Sequence, residues 1–128
     1  MNFNKAIVAG NITSDPELKK MTNGNSVVNF TVAVNRYYND KEGNRKEETE
    51  FHNVVFFGRQ AENIDKYMSK GSQILVEGRL KTRNWEDKEG KKHYRTEIIG
   101  ETAQFGKRAE KVEEEEDDDI DLEEIPFD

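Results

Sequence analysis

Aromatic and cationic side chains share the same short stretches of this 128-residue chain. From Gln73 to Trp85 the order is Gln-Ile-Leu-Val-Glu-Gly-Arg-Leu-Lys-Thr-Arg-Asn-Trp. Side chains alternate along an extended strand, so one face would collect Ile74, Val76, Gly78, Leu80 and Thr82. The other would collect Leu75, Glu77, Arg79, Lys81, Arg83 and Trp85, the only tryptophan. A basic row ending in an indole suits a partner with phosphates and flat bases. Alone it reads more readily as an ordinary half-buried strand with a solvated face, the commoner case.

Other stretches repeat the combination. Tyr37, Tyr38, Phe51, Phe57 and Tyr94 lie on or beside predicted strands that also carry Arg36, Arg59 and Arg95. Along Glu50–Gly58, parity puts Phe51, Asn53, Val55 and Phe57 on one face and His52, Val54 and Phe56 on the other. Each base stacked on an aromatic ring contributes about 1–3 kcal/mol with little sequence preference. Nearby cations follow the phosphates and make affinity fall with salt. Phe30 and Phe56 fall on apolar parity and are expected in the core; for Phe3 and Phe105 the sequence leaves both readings open.

Residues for catalysis are sparse. Cysteine is absent, which removes disulfides, thiol chemistry and cysteine-ligated zinc. The two histidines, His52 and His93, fall on predicted strands without metal-ligand spacing and read as structural or interface residues. No glycine-rich phosphate loop occurs, and Glu47, Glu48 and Glu50 belong to a charged, solvated stretch. The expectation is a non-enzymatic protein without metal or cofactor.

Elements to position the aromatics follow in order. Phe3–Ile12 predicts a first strand, with Gly10 marking a bulge or a close backbone approach. Thr13-Ser14-Asp15-Pro16 and Asn23-Gly24-Asn25 are turns, with Glu17–Met21 a short bridging strand between them. Val27–Asn35 alternates clearly; Asn39–Thr49 reads as a mobile charged loop. The third main strand, Glu50–Gly58, precedes a helix over Gln60–Lys70, with Ala61, Ile64 and Met68 at helical spacing and Gly71 at its end. Two strands follow, Ser72–Trp85 and His93–Glu101, around a polar Asp87–Lys92 hairpin loop. No internal repeats are apparent. Three strands, one helix and two strands imply an all-β protein, a five-stranded Greek-key barrel of OB-fold type with the helix between strands three and four.

The net charge of −7 hides a division. Residues 109–128 hold twelve acids and one base, a charge of −11, leaving 19 bases and 15 acids, or +4, on residues 1–108. A mildly basic body with an acidic tail is compatible with a nucleic-acid partner. The tail lacks the apolar surface to fold and is expected to be disordered. It ends Ile120-Asp121-Leu122-Glu123-Glu124-Ile125-Pro126-Phe127-Asp128, hydrophobic anchors after acids, as in a linear peptide for a basic-rimmed pocket. The organisation is thus a barrel domain over 1–106 and an acidic segment over 107–128. Met-Asn-Phe-Asn-Lys is unlike a signal peptide and no apolar run approaches membrane-spanning length, so a soluble cytoplasmic protein without a membrane partner is expected.

Long motifs carry a resemblance. Asn4–Ile12, Asp15-Pro16-Glu17, Phe51–Arg59, Tyr67–Gly78 and Arg79–Trp85 closely resemble the bacterial single-stranded DNA-binding protein family, over about residues 3–104 and again at the tail tip. The resemblance implies an OB fold, a homotetramer and a nucleoid-associated protein that wraps single-stranded DNA over stacking aromatics, in replication, recombination and repair. The family's stacking positions match Tyr38, Phe51, Phe57 and Trp85. The expected DNA-binding set is therefore Arg36, Tyr38, Phe51, Phe57, Arg59, Arg79, Lys81, Arg83 and Trp85. His52 matches a subunit-interface histidine, and Ile125, Pro126 and Phe127 match a tip that recruits partner proteins. Two departures stand out: Asp128 follows the phenylalanine at which the family usually ends, and the usual Gly/Gln/Pro-rich linker is missing.

Overall fold

The computed structural model describes residues 1–109. The expected partner-binding residues Ile125, Pro126 and Phe127, with most of the acidic segment, lie outside the described residues. Seven elements follow in order: β1 (Ala6–Ile12), β2 (Glu17–Lys20), β3 (Ser26–Asn39), β4 (Arg45–Phe57), α1 (Gly58–Tyr67), β5 (Gln73–Glu86) and β6 (Lys92–Phe105).

Alternation decides which side faces in. Val28, Phe30 and Val32 of β3, Val54 and Phe56 of β4, Ile74 and Val76 of β5 and Ile98 of β6 are buried in one cluster. The Phe30 and Phe56 rings stack there, 6.2 Å apart and nearly parallel, as parity requires. Hydrogen bonding runs β1-β5-β6-β4-β3-β2, and β1 also pairs with β3. That extra pairing, Asn11 with Ala33 and Ile12 with Val32, closes a five-stranded barrel and leaves β2 as a flap on β3. Gly10 permits the closure, because a Cβ there would overlap the Ala33 carbonyl oxygen. It marks a close approach, one of the two options its position in a strand allowed. All pairings are antiparallel except β4 with β6, joined in parallel through Asn53–Glu97, Val54–Ile98 and Val55–Ile99. This is the OB-type barrel. Counting β2, the helix follows the fourth strand; counting barrel strands alone, it follows the third.

The helix supplies Ala61 and Ile64 to the core, and Met68 follows them. It is shorter than the expected Gln60–Lys70. Met68 is its C-cap, already extended at φ −113° and ψ 145°, with its amide still bonded to the Ile64 carbonyl at 2.9 Å. Gly71 is not the helix cap. Its positive φ serves the later turn into β5, where its amide meets the Ile12 carbonyl at 2.8 Å.

The β3–β4 hairpin is much longer than the sequence predicts, and the tip of the β5–β6 hairpin agrees to within one residue pair. The expected loop Asn39–Thr49 is mostly ladder, paired from Asn35–Thr49 to Asn39–Arg45, and only Asp40–Asn44 turns. The β5–β6 ladder reaches Glu86–Lys92. Both tips share one sequence, Asp-Lys-Glu-Gly, at residues 40–43 and 87–90, so the chain does contain a short internal repeat. Asp40 Oδ1 accepts from the Glu42 and Asn44 amides; Asp87 Oδ1 accepts from Glu89 and Lys91. Gly43 and Gly90 adopt positive φ, 84° and 81°, at no steric penalty.

Candidate nucleic-acid interface

The outer face of β3-β4-β6-β5 is set by the same alternation that fills the core. On β4 it shows Phe51 and Phe57, 64% and 42% exposed, with buried Val55 between them. On β5 it shows Arg79, Lys81, Arg83 and Trp85, whose partners on β6 are Ile99, Glu97, Arg95 and His93. The β4–β6 pairing carries the face across, setting Asn53 beside Glu97 and Val55 beside Ile99. Arg59 comes two residues after Phe57, in the first turn of α1, because β4 passes into the helix at Gly58 without a loop.

The cations differ in how firmly they are held. Among the described residues Arg59 and Lys81 form no ion pair. Arg79 meets Glu101 at 3.4 Å and Arg36 meets Glu48 at 3.0 Å, both exposed pairs. Such pairs are worth about 0–1 kcal/mol and yield readily to a phosphate. Arg83 is different: Nε and Nη2 donate to the two oxygens of buried Glu97, each at 3.1 Å. Its guanidinium lies 6.0 Å from the Trp85 ring centroid.

Trp85 is shelved on one side. The His93 ring stacks on it at 5.6 Å, and His93 Nε2 shares a 2.9 Å hydrogen bond with Asp87 Oδ2. That bond, with the amides of Lys91 and Glu89, holds the Asp87 carboxyl below its ordinary range. The indole remains 47% exposed. His93 thus acts through packing, a role that parity on the two strands could have revealed by pairing it with Trp85.

Two expected residues are not brought to this face. The β3–β4 register pairs Ala33 with Phe51, Tyr37 with Glu47 and Tyr38 with Lys46. Tyr37 therefore shares the Phe51 face, while Tyr38 and Arg36 lie on the reverse side of the projecting ribbon. Each side carries its own pair: Arg45 lies 4.7 Å from the Tyr37 ring and Arg36 lies 5.0 Å from the Tyr38 ring. His52 is half-buried on the reverse side, opposite Val32. Glu77, the lone acid in the basic row, is answered by Lys5, whose ammonium its hydrogen bond and charge hold above the usual lysine range. Phe3 is fully outside the core and Phe105 is exposed. Among the described residues no three His, Asp or Glu side chains converge as a metal site, and no helix is long and apolar enough to cross a membrane.

A family model described as the single-strand binding protein family matches residues 3–106. The chain belongs to that family. A Staphylococcus aureus (strain Mu50 / ATCC 700699) relative named single-stranded DNA-binding protein 1 is 48% identical over 103 residues, 80% of this chain and 65% of the relative. One from strain MSSA476 is 47% identical over the same shares. The chain thus spans just under two thirds of the length of these relatives. Among solved structures, a Plasmodium falciparum SSB complex with ssDNA superposes with a TM-score of 0.75 at 29% identity, covering 82% of this chain and 96% of that one. A deletion mutant of the Thermus aquaticus single-stranded DNA binding protein gives 0.71 at 29% identity, covering 80% and 50%.

Proposed function

We propose that this protein binds and protects single-stranded DNA without sequence preference and without catalysing a reaction. One observation carries the reading: Phe51, Phe57 and Trp85 stand exposed on one sheet face with Arg79 and Lys81 among them, and Arg59 opens the helix two residues beyond Phe57. Rings separated by available cations suit bases stacked in succession with their phosphates between. A duplex, whose bases are already stacked, presents no free faces to these rings. Membership of the single-strand binding family and the DNA-bound relative support the same reading. In it, Arg83 lies beside the base stacked on Trp85. Tyr38 and Arg36 contact DNA only where the strand crosses the β3–β4 ribbon end, and Tyr37 extends the row begun by Phe51.

The resemblance supports further parts of the proposal. The chain acts in replication, recombination and repair at the nucleoid, and Ile125, Pro126 and Phe127 recruit partner proteins. It assembles as a homotetramer, with His52 at a subunit interface. Geometry favours self-association: Ala6–Gly10 pair only with β5, leaving the other edge of β1 unpaired among the described residues. Titration with unlabelled oligo-dT at low salt tests the binding reading. Quenching of Trp85 emission by dT, with weak response to matched duplex, is expected; no quenching, or equal response to duplex, overturns it.

A further inference from the structure

Glu97 is an acid in the middle of a face built for anions. It is 4% exposed, the one buried residue of the described chain that carries an ionisable side chain. Lys81 faces it from β5 and Asn53 flanks it on β4. Arg83 grips both its oxygens at 3.1 Å, and Arg95 Nε lies 3.5 Å from Oε2. Asn53 is engaged elsewhere, accepting from Thr31 Oγ1 at 3.3 Å.

Stability alone does not account for this carboxylate. A buried ion pair is often no better than well-packed apolar residues of the same volume. Its charge also opposes the phosphates that the face attracts. What it supplies is geometry. A guanidinium has five N–H donors, and the side-on grip on Glu97 uses Nε and one hydrogen of Nη2. Both hydrogens of Nη1 and one of Nη2 remain, on a group that can no longer sweep through rotamers. The same guanidinium lies beside Trp85.

We propose that Glu97 is a positioning residue for DNA binding. It fixes Arg83, and with it Arg95, so that their unused N–H groups meet the phosphate next to the base stacked on Trp85. The inference rests on the single-stranded DNA reading above. Ordering the arginines beforehand removes an entropy loss that mobile side chains would suffer on binding. Removing an acid from the face therefore weakens the grip on an anion, the opposite of what charge alone predicts.

The test is anisotropy of a labelled dT oligonucleotide bound by the full chain over a salt series, so that the readout does not depend on Trp85 emission. Glu97→Gln keeps the shape and removes the charge. The expected result is binding weakened roughly three- to ten-fold, with a log–log salt slope shallower by about 0.7 for each phosphate that is no longer neutralised. Glu97→Asp keeps the charge but shortens the reach; it is expected to weaken binding too, which covers the case in which Glu97→Gln fails to fold. Glu97→Gln added to an Arg83→Ala, Arg95→Ala chain should change little. Tighter or unchanged binding by Glu97→Gln and Glu97→Asp overturns the inference, as does an equal loss when both arginines are already absent, which marks a structural role. A wild-type chain that binds dT no better than duplex overturns the functional reading itself, and the inference with it.

Discussion

Removing a ring and removing a cation should have separable signatures on this face. Phe51 is 64% exposed and, among the described residues, packs against no other aromatic ring. Phe51→Ala therefore takes away little of the core, whose β4 members are Val54 and Phe56. It removes one stacking surface worth about 1–3 kcal/mol, which is roughly a 5- to 150-fold weaker affinity. Every cation that meets a phosphate stays in place, so the salt slope is expected to remain as in the wild type. Lys81→Ala is the counterpart. Lys81 has no ion pair to lose among the described residues and faces the same side. Its removal should lower the slope by about 0.7 and leave an intercept at high salt close to wild type. Anisotropy of labelled dT across about 0.05 to 0.5 M salt, a range of one decade, measures both quantities. Unchanged affinity for Phe51→Ala refutes the stacking argument. A slope change from Phe51→Ala with none from Lys81→Ala refutes the division of labour between rings and cations.

Three further outcomes follow from other parts of the molecule. Gly100 lies against the Phe56 ring so closely that any Cβ would overlap it; Gly100→Ala should cost about 1–3 kcal/mol, lowering the melting temperature by roughly 5–20 °C in a calorimetric scan. The Asp87 carboxyl is held below its ordinary value of 3.8, so its support of the β5–β6 tip is present above that pH and lost as pH falls beneath it. Trp85 emission, which reports the His93 shelf, should shift in that acid window for the wild type and not for Asp87→Asn; identical acid titrations contradict this. Deleting residues 110–128 removes a charge of −11 and should tighten DNA binding most at low salt, where screening is weakest; equal affinities at low salt contradict it.

The barrel and its outward rings were legible because burial writes itself into alternation. Val28, Phe30 and Val32 mark the inside of β3, and the same parity turns Phe51 and Phe57 out on β4. The outer half of the β3–β4 hairpin was not legible, whereas that of β5–β6 was legible to within one residue pair. Arg45–Phe51 is exposed on both faces, so no apolar contrast announces a strand there. The repeated Asp-Lys-Glu-Gly tip was the available signal, since it fixes where each ladder turns. Tyr37 and Tyr38 are adjacent in sequence, and only the register set by the Asp40–Asn44 turn tells which one joins Phe51. Arg83 and Glu97 are 14 residues apart, and their pairing depends on the β5–β6 register and its shift at Glu77/Gly78. The helix end was misplaced because Gly71 signals a turn wherever positive φ is needed, and here the turn comes after Met68 has already left the helix.

The central claim is that single-stranded DNA lies on the outer face of β3-β4-β6-β5. Ultraviolet crosslinking of oligo-dT to the full chain, followed by mass spectrometry of the crosslinked peptides, tests it most directly. Crosslinks at Phe51, Phe57 and Trp85 are predicted. Crosslinks concentrated instead at other exposed rings, Phe3, Tyr67 or Phe105, would contradict it.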